Sequence, residues 1–223
     1  MRIIALSDLH ARTSVIPYLA GQLQKAHQVL LCGDITHFGR ENEMRTIVQQ
    51  IHSSNSRIFA VTGNCDYPVT EKYLADEGLA LNARIREYLG YQWLGLSGSL
   101  PCPGRTPQEY TEEEYEARLN NLCPDPDRPL ILVSHQPPYG TLNDQVSPGF
   151  HVGSRAIRQF IELNRPVICF TGHIHEGIAI DRIGETVIVN PGPAAKGNYA
   201  VADMEGKEII NVQLRNLFSE ELI

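Results

Sequence analysis

Five short apolar runs in this chain each lead into a residue that can bind a metal. Arg2–Ser7 runs into Asp8 and His10, and Val29–Gly33 runs into Asp34. Arg57–Gly63 ends at Asn64, Leu130–Ser134 at His135, and Val167–Gly172 at His173 and His175. Short runs of Val, Ile, Leu and Phe bounded by Gly, Asp and Asn have the composition of strands buried in a parallel sheet. In open α/β sheets the ligand crevice lies outside the carboxyl ends of the strands. Side chains far apart in sequence are therefore predicted to converge on one edge of the fold, as a metal site.

The donor set is two carboxylates, one amide and four imidazoles. A catalytic zinc takes about three protein ligands and a water, so this set is too large for one ion. It suits two ions about 3.5–4 Å apart that share a carboxylate, with Asp34 as the candidate bridge. Mixed nitrogen and oxygen donors suit two divalent transition-metal ions better than Ca or Mg. Mn is the first choice, with Fe, Ni, Co or Zn as alternatives, and an iron–sulfur cluster is excluded. Taken singly, an Asp or Asn ending a strand is often only a turn former or helix cap. Seven such coincidences in order are a poor account of this pattern.

The series Asp8-Leu-His10, Gly33-Asp34, Gly63-Asn64-Cys65-Asp66, His135 and Gly172-His173-Ile174-His175 resembles the calcineurin-like metallophosphoesterases. Their pattern is D-x-H, G-D, G-N-H-[D/E], H and G-H-x-H, in that order. The likeness is to a small bacterial and archaeal phosphodiesterase-like branch, some of whose members carry Cys in the third motif. It implies that Asp8, His10, Asp34 and His175 hold one metal, and that Asp34, Asn64, His135 and His173 hold the other. It also implies that a metal-bridging hydroxide attacks phosphorus, with Asp34, Asn64, Cys65 and Asp66 as catalytic candidates. Cys65 stands where the family commonly has a His that protonates the leaving group or contacts the phosphate. Two nearby cations favour thiolate, which has no proton to donate. His37 and His151 are further candidates to line the site. Asp66 is also expected to hold a local hydrogen bond or orient a ligand.

The resemblance implies an α/β fold: a two-sheet β-sandwich flanked by helices (four-layer αββα), with the metal site at the carboxyl ends of strands. At 223 residues and 42% hydrophobic content, residues 1–223 are expected to form a single domain. Ser14–Ala26, Glu41–His52 and Ser154–Leu163 have helical spacing, with Ser14 and Ser154 as candidate caps. Gly177–Arg182, Thr186–Val189, Tyr199–Met204 and Glu208–Leu214 read as short antiparallel strands. The segment 98–129 is a candidate lid or dimerisation insert. It contains a helix pattern in which Thr111 is a cap and Glu114 sits at the capping-box position. Pro137–Thr141 and Asn190–Gly192 are candidate loops at the site.

A net charge of −7 without Lys/Arg runs or interleaved aromatics gives no nucleic-acid-binding signal, so a small phosphoester is the expected partner. A homo-oligomer is left open. No apolar stretch approaches the length of a membrane span, and the start has no signal-peptide pattern. Five Cys without C-x-x-C fit a reduced compartment, so a soluble cytoplasmic protein is expected. Gly95-Leu96-Ser97-Gly98 is not a serine-hydrolase elbow. Two other readings remain beside a diesterase: a phosphomonoesterase, and a metal-binding scaffold of the same fold with little catalysis.

Overall fold

The computed structural model describes residues 1–219. β1 (Arg2–Leu6) leads through a 3-10 turn into α1 (Ile16–Leu23), followed by β2 (Gln28–Cys32), α2 (Glu41–His52), β3 (Ile58–Val61) and α3 (Pro68–Asp76). Next come β4 (Ile85–Tyr88), β5 (Tyr91–Leu96), α4 (Glu112–Asn120) and β6 (Leu130–Ser134). A small hairpin of β7 (Gln145–Ser147) and β8 (Phe150–His151) precedes α5 (Arg155–Asn164) and β9 (Ile168–Phe170). β10 (Ala179–Ile183), β11 (Thr186–Asn190), β12 (Asn198–Glu205) and β13 (Glu208–Asn216) complete the described elements.

Two main sheets stack face to face, with strand orders β13-β12-β1-β2-β3 and β10-β11-β9-β6-β5-β4. Strands β1, β2 and β3 are parallel, as are β5, β6, β9 and β11. Antiparallel neighbours flank both centres. This corrects the expectation for Thr186–Val189, which pairs antiparallel with β10 but parallel with β9.

The period-two alternation of each strand sorts its side chains into layers. Ile3 and Ala5 of β1 face the second sheet and pack with Trp93, Ile131, Val133 and Phe170. Ile4 and Leu6 face the other way, onto Leu19 and Leu23 of α1 and Met44 and Ile47 of α2. On the far side, Leu94, Leu132 and Ile188 pack beneath Tyr115, Leu119, Ile157 and Phe160 of α4 and α5. The order helix, sheet, sheet, helix is the expected four-layer αββα sandwich.

Side-chain caps explain the starts of α4 and α5. Ser154 Oγ accepts from Ile157 N at 3.2 Å and caps α5. Thr111 and Glu114 form a reciprocal capping box at α4. Ser14 does not cap α1, because it lies within the 3-10 turn Thr13–Val15 and the helix begins later, with Pro17 in its first turn. The helix in the 98–129 segment is docked rather than free. Tyr115 and Leu119 are buried, and the Glu112 carboxylate accepts from Ser154 Oγ, Arg155 N and Ala156 N at 2.6, 2.7 and 3.1 Å.

Candidate metal centre

The parallel strands β1, β2, β3, β6 and β9 deliver their following residues to one edge of the sandwich. There the backbone turns sharply. Asp8, His10, Asp34 and His173 have φ of 54°, 44°, 48° and 68°. That left-handed region costs an L residue about 1–2 kcal/mol. Hydrogen bonds between the loops hold it: Asp8 N to Gly33 O at 3.0 Å, His10 N to Asp34 O at 2.9 Å, and His173 N to Asp8 Oδ2 at 3.2 Å. The glycine before each of two candidate ligands allows close approach. A Cβ at Gly33 would lie 2.2 Å from His135 Nδ1, and one at Gly63 would lie 2.1 Å from Asp34 Oδ1.

Three overlapping groups have potential ligand atoms within 4.8 Å of one another: Asp8, His10 and His175; His10, Asp34 and Cys65; Asp8, Asp34 and His135. His175 Nε2 lies 3.3 Å from Asp8 Oδ1 and 3.4 Å from His10 Nε2. The two Asp34 oxygens face different imidazoles, Oδ2 at 3.7 Å from His10 Nε2 and Oδ1 at 3.5 Å from His135 Nε2. His173 joins through its ring, 5.2 Å from that of His135. All seven expected ligand residues thus meet, together with Cys65.

Proton accounting at His135 tests whether this set fits a cation. Its Nδ1 is 2.8 Å from the carbonyl oxygen of Cys32, which only accepts, so Nδ1 carries the proton. When the ring is neutral, as a metal-binding imidazole must be, its Nε2 presents a bare lone pair. Facing it at 3.0 Å is Asn64 Oδ1, whose amide nitrogen donates instead to Thr106 Oγ1 at 3.1 Å. With Asp34 ionised and His135 neutral, Asn64 Oδ1, Asp34 Oδ1 and His135 Nε2 are neighbouring acceptors, an arrangement that a divalent cation satisfies.

Electrostatics point the same way. Burial lowers the pKa of His10 to about 4 and, with His135 adding to it, that of His173 to about 3. Both imidazoles are bare at neutral pH, as ligands must be. Burial, reinforced by the charges of Asp8 and Asp66, pushes Asp34 up to about 7. Burial opposes ionisation of Asp8 too, but its hydrogen bond to His175 and the fields of His135 and His175 hold it low. The same hydrogen bond raises His175. Burial and the Asp34 charge push the Cys65 thiol up.

The remaining candidates separate. Asp66 is fully buried and accepts from Ile35 N, Thr36 N, Thr36 Oγ1 and Gly63 N at 3.1, 2.8, 2.7 and 2.9 Å. It ties the loop after Asp34 to the loop before Asn64. His37 stacks edge-on against His10 and lines a cavity of about 520 Å³ with His10 and His175. His151 instead bonds Asp144 at 2.7 Å, and Thr141 N donates to that same carboxylate. Asn190 donates to Ile174 O at 2.8 Å and so supports the turn between His173 and His175.

Sequence reasoning missed Arg12, Lys196 and Thr106. The first two line the cavity. Their loops are pinned to the site, Ala11 N donating to Ile35 O and Ala195 N to Asp8 O. Thr106 carried one signal, the T-x-x-E spacing to Glu109.

Residues 1–177 match the calcineurin-like phosphoesterase family. The chain belongs to that family. Uncharacterized protein MJ1162 of Methanocaldococcus jannaschii is 35% identical to it over 215 residues, 94% of this chain and 95% of the other. Among solved structures, TT1561 of Thermus thermophilus has a TM-score of 0.78 at 18% identity, covering 97% of this chain and 98% of that one. The structure of a novel archaeal phosphodiesterase has a TM-score of 0.51 at 15% identity, covering 96% of this chain and 100% of that one. At these identities the structural likenesses speak to the fold alone. As a calcineurin-like phosphoesterase, the chain belongs to a family of metal-dependent phosphoester hydrolases and has clusters suited to metal. No described helix is long and apolar enough to cross a membrane.

Proposed function

We propose that this calcineurin-like phosphoesterase is a dinuclear metal-dependent phosphodiesterase acting on a small phosphodiester. The observation that carries the reading is the facing pair Asn64 Oδ1 and His135 Nε2, 3.0 Å apart, with Asp34 Oδ1 3.5 Å from the same nitrogen. Asp8, His10, Asp34 and His175 would hold one ion, and Asp34, Asn64, His135 and His173 the other. The divergent Asp34 oxygens support a bridging role. Once bound, the ions, Mn first and Fe, Ni, Co or Zn as alternatives, would supply an acidified water as nucleophile and offset charge on the phosphoryl oxygens.

The chain's own residues supply position and selectivity. Arg12 and Lys196 bring two cations to the wall of the cavity that His10 and His175 also line, which suits an anionic substrate. Cys65 replaces the family's usual His near Asp34 and His10. The preference for a diester over a monoester rests on the chain's small size, on this Cys65 variant and on the resemblance to small phosphodiesterase-like members of the family.

The test is hydrolysis of bis-p-nitrophenyl phosphate against p-nitrophenyl phosphate by chelator-stripped protein reloaded with Mn²⁺. The expected result is metal-dependent diester cleavage that His135→Ala and Asp34→Asn both abolish. Faster monoester cleavage would make the protein a phosphatase. Silence with Mn²⁺, Fe²⁺, Ni²⁺, Co²⁺ and Zn²⁺, with metal bound, would make it a scaffold.

A further inference from the structure

We propose that the loop of residues 99–110 is an orienting clamp for Asn64, acting through a relay from Glu109 to Thr106 to the Asn64 amide. The inference rests on the reading of Asn64 and His135 as ligands of one ion, and it assigns Thr106 as a positioning residue. An asparagine amide has nearly the same shape when flipped by a half-turn, yet only its oxygen binds a divalent cation. Something must choose the orientation.

The choice follows from counting one proton. Thr106 Oγ1 lies 2.8 Å from Glu109 Oε1, and the same carboxylate oxygen accepts from Thr106 N at 2.6 Å and from Cys102 Sγ at 3.1 Å. An ionised carboxylate only accepts, so the single hydroxyl proton of Thr106 is spent on Glu109. The lone pairs left on Thr106 Oγ1 face the Asn64 amide at 3.1 Å, and only an NH₂ can answer them. Asn64 Oδ1 is thereby turned to His135 Nε2. The flipped amide would set oxygen against oxygen at Thr106.

The loop is fixed where it acts. Gln108 N donates to Asn64 O at 3.2 Å, and Gln108 Nε2 donates to Asp66 O at 2.6 Å. Ser99 N to Gln108 O and Tyr110 N to Ser99 O close the base of the loop at 3.1 and 2.8 Å. Backbone and side chain of the Asn64 loop are thus held by one neighbour, which the strand-to-ligand pattern of the sequence does not include.

The experiment titrates Mn²⁺ into chelator-stripped full chain, following free ion by electron paramagnetic resonance and binding by calorimetry. Wild type is expected to take two ions. Thr106→Val, close in shape but without a hydroxyl, is expected to weaken one of them by about 10–100-fold, the range for lost outer hydrogen bonds to ligands, and to leave the other unchanged. Thr106→Ser is expected to restore the weakened site, which a loss of packing alone would not predict. Melting of the metal-free variants checks that the fold is intact. Unchanged affinities in Thr106→Val, equal weakening of both ions, or failure of serine to rescue would overturn the clamp while leaving the two-ion reading standing. A wild type that takes a single ion would overturn the two-ion reading and the clamp with it.

Discussion

His135 Nε2 and Asn64 Oδ1 lie 3.0 Å apart, and once the ring is neutral, as a metal ligand must be, neither atom has a proton to offer the other. Such a contact is repulsive in the bare protein and attractive around a cation. Metal removal should therefore lower stability beyond any change in activity. At an ion concentration of about a hundred times Kd, binding contributes about 2.7 kcal/mol. For a chain of this size that corresponds to roughly 5–10 °C in Tm. Scanning calorimetry with Mn²⁺ and with chelator measures it, and coincident melting curves would count against the cation site.

Gly63→Ala tests the close approach behind Asp34, the proposed bridging carboxylate. The added methyl would sit 2.1 Å from Asp34 Oδ1 and 2.3 Å from Asp34 N, so Asp34 must move. Activity and metal affinity should fall together, by at least about tenfold. Wild-type metal affinity in this variant would show that Asp34 has slack that the geometry denies.

Acid should compete with metal at the candidate centre. Asp34, pushed up to about 7, and His175, raised by Asp8, hold protons that an incoming ion must displace. His10 and His173, lowered to about 4 and about 3, are already bare. Mn²⁺ binding should release protons below pH 7, with affinity falling about tenfold per pH unit for each proton displaced. Calorimetry in buffers of different ionisation enthalpy counts them. Zero release at pH 6 would refute the assignment.

Arg12→Gln and Lys196→Gln should raise KM for an anionic diester and leave kcat unchanged, because the charges bind the substrate without touching the reacting atoms. Exposed charge pairs are worth about 0.2–1 kcal/mol, so the rise is roughly 1.4- to fivefold for each. The effect should fade with added salt. A loss of kcat that is insensitive to salt would instead place these residues in the chemistry.

Glu112→Ala should cost about 1–2 kcal/mol in urea denaturation, because its carboxylate caps α5 through three hydrogen bonds. Hydrolysis should be unaffected. The opposite result, lost activity at full stability, would give α4 the lid role that its docked position argues against.

How far the sequence could be read depended on how local the physics was. The ends of β1, β2, β3, β6 and β9 were legible because an apolar run bordered by a polar residue marks burial giving way to a cleft. α2 (Glu41–His52) and the caps Ser154 and Thr111 were legible because each depends on neighbours within a turn. α3 was not, with nine residues, a Pro start and only Thr70, Tyr73 and Leu74 buried. β4 was not, since all four of its residues are partly or fully exposed and it is held by its pairing with β5.

By itself the sequence determined the donor atoms, their order, and the strand endings that bring them to one edge, since residue type and periodicity are properties of the chain alone. Only the tertiary structure decided which side chains face one another, that Asp34 presents its oxygens to His10 and His135 separately, and that Thr106 meets the Asn64 amide. Those outcomes depend on contacts between segments dozens of residues apart. Periodicity reports that a side chain is buried, but not which partner meets it or which way a proton points.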